Sequence, residues 1–256
     1  MKIASKLKNK FQQSGVRGVA ASALRHAAKR VHGNETKQAN EFLAWVRFAV
    51  PGMLEHGNVD AMEYALANMP PGKPILEIGS FCGLSTVVLS YFLSKRSNST
   101  ALFTCDKWEF EGRQPGAPLG DSPTVTHDDY RTYVKDTFLR TMKTFAAGRL
   151  PHTIECFSDE FFRRWFEKEK AVDVFGRSVT LGGEISFCYV DGNHTYEFAK
   201  RDFENTDRAL VSGGYILFDD SADESHWEVN RLTREIASGN QYELVSKNPN
   251  YLFRKK

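Results

Sequence analysis

None of the hydrophobic runs among the 256 residues approaches the 18 consecutive apolar positions that a membrane-spanning helix needs. The N-terminus also lacks the uncharged apolar stretch of a secretory signal, so a cytoplasmic location is expected. Cysteine is scarce: Cys82, Cys105, Cys156 and Cys188 lie 23, 51 and 32 residues apart, spacings that match neither a zinc knuckle nor a CxxC redox pair. Three of them fall in apolar runs that read as strands, where buried thiols in a reducing compartment are the simple account. Internal repeats and low-complexity tracts are absent. What is present is an ordinary globular composition, 41% hydrophobic, 26% charged and 12% aromatic, enough to build a substantial core and to exclude disorder and collagen.

Acidic residues are missing from one stretch in particular. Residues 1–34 carry eight Lys/Arg and no Asp or Glu, which leaves 26 basic against 32 acidic residues elsewhere, a net charge of −6. A general nucleic-acid-binding surface is therefore not expected. Within this stretch Ile3, Leu7 and Phe11 would form one apolar stripe on a cationic helix. That pattern suits peripheral contact with an anionic membrane, an accessory helix packed on the main domain, or an organelle transit peptide.

From residue 74 onward short β-branched or aromatic runs alternate with segments of helical period, the pattern of parallel βαβ units. Strands are expected at 74–79, 101–106, 153–158, 185–191 and 215–219, with helices at 84–95, 128–147, 159–170, 196–210 and 224–238. Tyr242–Lys247 and Tyr251–Arg254 are separated by only three residues, too few for a crossover helix, so they should pair antiparallel. The expected fold is α/β: a doubly wound, seven-stranded Rossmann-like sheet closed by a C-terminal antiparallel hairpin. Residues 1–73 would form a basic N-terminal helical extension and 74–256 the domain built on this sheet. Residues 107–127, with three prolines and three glycines, read as a long loop over the carboxyl edge of the sheet, and 171–183 as a smaller excursion.

Ligands of open α/β sheets bind beyond the carboxyl ends of the strands. After the first strand comes Glu77-Ile78-Gly79-Ser80-Phe81-Cys82-Gly83, a GxxxG loop opening a helix whose N–H groups can face an anion. An ordinary tight turn is the alternative. The second strand ends in Asp106, a carboxylate able to accept two hydrogen bonds from a ribose diol or to cap a loop. Together with Val211-Ser212-Gly213-Gly214-Tyr215, these residues resemble the class I S-adenosylmethionine-dependent methyltransferases, over roughly residues 74–256. The resemblance implies S-adenosylmethionine as cofactor, with Glu77, Gly79, Ser80, Gly83 and Asp106 around its methionine and ribose portions and Ser158 or Asp159 near its adenine.

The fourth strand closes with Asp191-Gly192-Asn193-His194-Thr195-Tyr196 and the fifth with Phe218-Asp219-Asp220-Ser221. On neighbouring strands, Asp191, Asp219 and Asp220 would converge. Each close pair of carboxylates at ~4 Å repels by roughly 4 kcal/mol at an effective dielectric of 20, which calls for protonation, divergence or a divalent cation. Oxygen ligands favour Mg²⁺, Mn²⁺ or Ca²⁺, and a single histidine does not make the two-histidine iron triad. Ser221 and Glu224 also have the spacing of a capping box ahead of the last helix. His194, at the mouth of the pocket, can take a proton from a hydroxyl at neutral pH, and His226 is a weaker candidate. This second motif resembles the metal-dependent sugar O-methyltransferases of macrolide biosynthesis and the cephalosporin-hydroxylase-like proteins. That likeness implies Mg²⁺ on Asp191, Asp219 and Asp220, with His194 as base. The expected reaction is methylation of a hydroxyl on a small-molecule acceptor, a sugar, glycoside or catechol-like diol, with Trp108 and Phe110 either stacking on the acceptor or closing the core. A homo-oligomer is compatible with this reading. Rival readings are a hydrolase or oxidoreductase on the same scaffold, or a noncatalytic module recruited to membranes.

Overall fold

Residues 40–96, 99–110 and 114–256 are described by the computed structural model, so the cationic stripe of residues 1–34 lies outside the described residues. Two helices, α1 (Glu41–Ala49) and α2 (His56–Asn68), precede the first strand. A repeating unit follows: β1 (Ile75–Ile78), α3 (Leu84–Lys95), β2 (Leu102–Cys105), α4 (His127–Phe145) and β3 (His152–Ile154). Next come α5 (Ser158–Phe166), a hairpin of β4 (Lys170–Val172) and β5 (Ser178–Thr180), β6 (Ile185–Val190), α6 (Tyr196–Ala209) and β7 (Leu210–Phe218). The chain ends with α7 (Val229–Ser238), β8 (Tyr242–Lys247) and β9 (Tyr251–Lys255).

The main sheet has seven strands in the order β3-β2-β1-β6-β7-β9-β8. The first five in this order run parallel, while β9 inserts antiparallel between β7 and β8. This is the doubly wound Rossmann-like methyltransferase sheet with its C-terminal hairpin. The central strands Ile-Leu-Glu-Ile and Ile-Ser-Phe-Cys-Tyr-Val are buried at every position, because helices cover both faces. Alternate residues therefore serve different layers. Leu76, Ile78, Cys188, Val190, Ile216 and Phe218 join Phe161, Trp165, Leu232 and Ile236 of α5 and α7 in one core. In α7 the buried Val229, Leu232, Thr233 and Ile236 repeat at helical spacing, which is why this polar segment folds against the sheet.

Several boundaries differ from the sequence reading. The third strand stops at Ile154, because the Cys156 N–H turns back onto the Ile154 carbonyl. β7 starts at Leu210 and runs through Gly213 and Gly214, where its pairing with β6 is irregular. The last helix starts at Val229 instead of Glu224, since Ser221 donates its hydroxyl to the Phe218 carbonyl at 2.9 Å and forms no capping box with Glu224. The helix expected at 159–170 ends at Phe166, and the excursion expected at 171–183 takes in most of the β4–β5 hairpin, which runs from Lys170 to Thr180. In addition, one compact unit spans Val46–Lys256 and holds α2 together with the sheet. Gly57 explains the closeness: a Cβ there would lie 1.5 Å from the Asn248 carbonyl oxygen. Among the described residues no helix is long and apolar enough to cross a membrane.

Candidate active site

The carboxyl ends of β1, β2, β6 and β7 meet at one edge of the sheet, and their loops are drawn together by backbone. Gly79 donates to the Cys105 carbonyl at 3.0 Å and Asp191 donates to the Ile78 carbonyl at 2.8 Å. Gly79 adopts φ +80°, and a Cβ at this point would sit 1.9 Å from the Asp191 carbonyl oxygen. Gly83, at φ +93°, is the N-cap of α3, and a Cβ there would lie 2.7 Å from Met142 and 3.1 Å from Phe138 of α4. Non-glycine residues Phe81, Trp108 and Asp220 also take left-handed backbone, at φ +44°, +53° and +51°, one in each of three loops along this edge. Such conformations persist only where the surroundings enforce them.

Beneath the glycine loop lies Glu77, fully buried, accepting hydroxyl hydrogen bonds from Ser85 and Thr86, both at 2.5 Å, and from Ser80 at 3.4 Å. Burial pushes its carboxyl up to about 7 against the pull of these hydroxyls. Asp106 binds the same loop from above: Oδ2 accepts from the N–H groups of Ser80 and Phe81 at 2.7 and 2.8 Å, and Oδ1 from that of Trp108 at 2.5 Å. Burial raises its pKa although these three N–H groups favour the ionised form. Gly79, Ser80, Gly83 and Asp106 thus share one cradle, with Glu77 as its support. Ser158 stands elsewhere, as the first residue of α5, with its hydroxyl on Asp202. Asp159 pairs with Arg201 at 3.2 Å.

Asp191, His194 and Asp220 come together, each half-buried, with one ligand atom apiece all within 4.8 Å of one another. His194 Nε2 lies 2.9 Å from Asp220 Oδ2. Burial first, and then repulsion from Asp219 and Asp220, holds the Asp191 carboxyl well above the usual carboxylate range. Removing a proton from this group is costly without a neighbouring positive charge, and two carboxylates plus an imidazole form a donor set that a divalent cation fits.

Asp219 departs from the expected trio. It points inward, with Oδ1 accepting from Asn58 Nδ2 at 2.8 Å, Asn250 Nδ2 at 2.5 Å and the Asp220 N–H at 2.9 Å, and Oδ2 bonded by the Tyr189 hydroxyl. Sequence reading missed Asn58 and Asn250. The one available signal was an amide placed on the buried face of a helix, between Gly57 and Ala61. Trp108 closes the core, fully covered and donating its indole N–H to the Phe81 carbonyl at 3.0 Å, while Phe110 packs on Phe81 and Tyr130 near the surface. Trp227 was also missed: its ring lies 4.6 Å from that of His194 and 4.5 Å from that of His226, so the segment before α7 folds over the cluster.

A family model described as a methyltransferase domain matches residues 76–221, more than half of the chain and the part that contains both loops. The chain belongs to this methyltransferase family. Solved structures with the same fold include the methyltransferase PaMTH1 of Podospora anserina, bound to S-adenosylhomocysteine, at 15% identity and TM-score 0.54, covering 92% of this chain and 96% of that one. A Corynebacterium glutamicum protein gives 12% identity and TM-score 0.53 over 91% and 97% of the two chains. The calicheamicin methyltransferase CalS11 gives 15% and 0.50 over 99% and 91%. In this methyltransferase the glycine cradle and the acidic cluster lie along one edge, joined through the contact between Gly79 and Asp191.

Proposed function

We propose that the protein is an S-adenosylmethionine-dependent O-methyltransferase acting on a hydroxyl of a small molecule such as a sugar, glycoside or catechol-like diol. In this reading Asp191 and Asp220 hold a divalent cation, Mg²⁺ or Mn²⁺, and His194 is the general base. The observation that carries it is the meeting of Asp191, His194 and Asp220 within 4.8 Å, beside the glycine cradle of a methyltransferase domain. The S-adenosylhomocysteine in PaMTH1 and the acceptor named for CalS11 agree with the donor and with a small-molecule acceptor.

When bound, S-adenosylmethionine supplies a methyl group on a sulfonium, and the cation supplies a positive charge that lowers the pKa of a neighbouring hydroxyl. Gly79, Ser80 and Gly83 would form the loop that takes the methionine portion of the donor, and Asp106, which fixes that loop through the Ser80 and Phe81 N–H groups, would take its ribose. By the family resemblance Ser158 would lie towards the adenine, with its hydroxyl on Asp202. Asp191 and Asp220 would hold the cation, which would lower the pKa of an acceptor hydroxyl beside it, and His194 would take the proton of that hydroxyl. The Trp227 ring packs against that of His194, with 4.6 Å between their centroids.

Calorimetric titration is expected to show S-adenosylmethionine binding; binding of NAD alone rejects the reading. EDTA should abolish turnover and Mg²⁺ restore it, whereas full activity in chelator eliminates the metal. His194→Ala should lose at least 100-fold in turnover with donor and Mn²⁺ affinity kept. Loss of Mn²⁺ affinity in that variant would instead make His194 a ligand, the second reading its 2.9 Å approach to Asp220 supports. A mass-spectrometric screen of glycosides, catechols and nucleotides for a methyl-sized gain identifies the acceptor.

A further inference from the structure

Directly behind Asp220 lies a set of buried polar groups that the reaction scheme does not use. Asn58, Asn250 and Asp219 are 0%, 4% and 7% exposed, so every hydrogen bond among them forms away from water. Polar groups at such depth are costly unless fully paired, and these are. Asp219 receives four donors, as described above. The second hydrogen of the Asn250 amide reaches Asn58 Oδ1 at 3.1 Å, and Asn250 Oδ1 accepts the N–H groups of Ser221 and Ala222 at 2.9 and 3.1 Å. Three separate pieces of chain are tied by this set: the first turns of α2, the turn between β8 and β9, and the loop after β7.

What they enclose is the backbone of Asp219, Asp220, Ser221 and Ala222. The Asp220 N–H is held by Asp219 Oδ1 from one side, and the next two N–H groups are held by Asn250 from the other. Between these anchors Asp220 is kept at φ +51°, a left-handed conformation that aspartate adopts only where its surroundings hold it. In that conformation its carboxylate reaches His194 and Asp191. An ordinary extended residue at position 220 would carry its side chain elsewhere.

We propose that Asn58 and Asn250 are positioning residues of the acidic centre, acting through Asp219, which is a buried anchor and not a ligand, on the orientation of the Asp220 carboxylate. The inference rests on the metal reading given above. It explains why two consecutive aspartates have opposite surroundings, one saturated by amides and a phenol, the other facing the cleft. It also gives α2, which precedes the first strand, a task at the active site.

The test is Mn²⁺ binding to the full chain, followed by the loss of the free-ion electron paramagnetic resonance signal, alongside calorimetric titration of S-adenosylmethionine. Asn58→Ala is expected to weaken Mn²⁺ binding tenfold or more while donor affinity stays within twofold. Tyr189→Phe, which keeps the ring in the core and removes one donor to Asp219, is expected to weaken it severalfold and covers the case in which Asn58→Ala fails to fold. Asp219→Asn, which preserves the Oδ1 acceptor, is expected to lose less Mn²⁺ affinity than Asp220→Asn. Mn²⁺ affinity unchanged in both Asn58→Ala and Tyr189→Phe overturns the inference, as does an equal loss of both affinities or a greater loss in Asp219→Asn than in Asp220→Asn. Absence of Mn²⁺ binding by the wild-type chain overturns the metal reading itself, and this inference with it.

Discussion

Gly79 is the residue on which the two halves of the site depend. Its positive φ is one demand and the 1.9 Å approach of the Asp191 carbonyl to a hypothetical Cβ is another, and the two can be separated. Gly72 has a similar φ of +77° with nothing within 4 Å of its Cβ position, so Gly72→Ala tests backbone strain alone. We expect Gly72→Ala to cost about 1 kcal/mol in urea unfolding and Gly79→Ala about 3 kcal/mol or more, with donor binding lost only in the second. Equal costs would show that the loops can part without penalty. Glu77 illustrates the complementary case of a residue whose motif position suggests ligand contact. It is fully covered and spends its carboxylate on Ser85, Thr86 and Ser80, fixing the first turn of α3 under the cradle.

At the scale of elements, α4 shows how local chemistry sets a boundary. Thr126 and Asp129 form a reciprocal capping box, the Asp129 N–H on the Thr126 hydroxyl at 3.1 Å and the Thr126 N–H on the Asp129 carboxylate at 2.9 Å. Thr126→Ala should lower the melting temperature by about 3 °C, leaving donor and Mn²⁺ affinities unchanged. The similar Ser-x-x-Glu spacing at Ser221 and Glu224 forms no box, because Ser221 is taken into the buried set behind Asp220 and accepts the Tyr251 N–H at 2.9 Å. Spacing alone did not distinguish the two. The difference is burial, which the first site lacks and the second has.

For the molecule as a whole, buried carboxyls determine how stability varies with pH. Asp202, under Gly192 and bonded by the Ser158 hydroxyl, is pushed by burial up to about 7, as Glu77 is. Both hold their protons more tightly folded than unfolded, so between about pH 4 and 7 the native state binds more protons. Their contribution is complete below about pH 4 and is lost as pH rises through 7. Urea unfolding across pH 4 to 8 should show a decline in that window, up to about 4 kcal/mol from Asp202. In Asp202→Asn the decline should be shallower; an unchanged slope would assign it to other groups.

The order and kind of the elements were legible in the sequence because a sheet buried on both faces needs unbroken apolar strands, and its crossover helices need amphipathic spacing. The strand expected at 185–191 and found at 185–190 follows from that rule, whereas the helix at 84–95 is covered nearly all round and the closing hairpin follows from a turn too short for a crossover. Residue types at strand ends marked the cradle and the acidic edge for the same reason, since the carboxyl ends of parallel strands must converge. Which way each side chain turns was decided only by tertiary structure. Asp219 and Asp220 are adjacent and chemically identical, and only the long-range arrival of Asn58 and Asn250, 161 and 31 residues from Asp219, makes one an inward anchor and leaves the other to face the cleft.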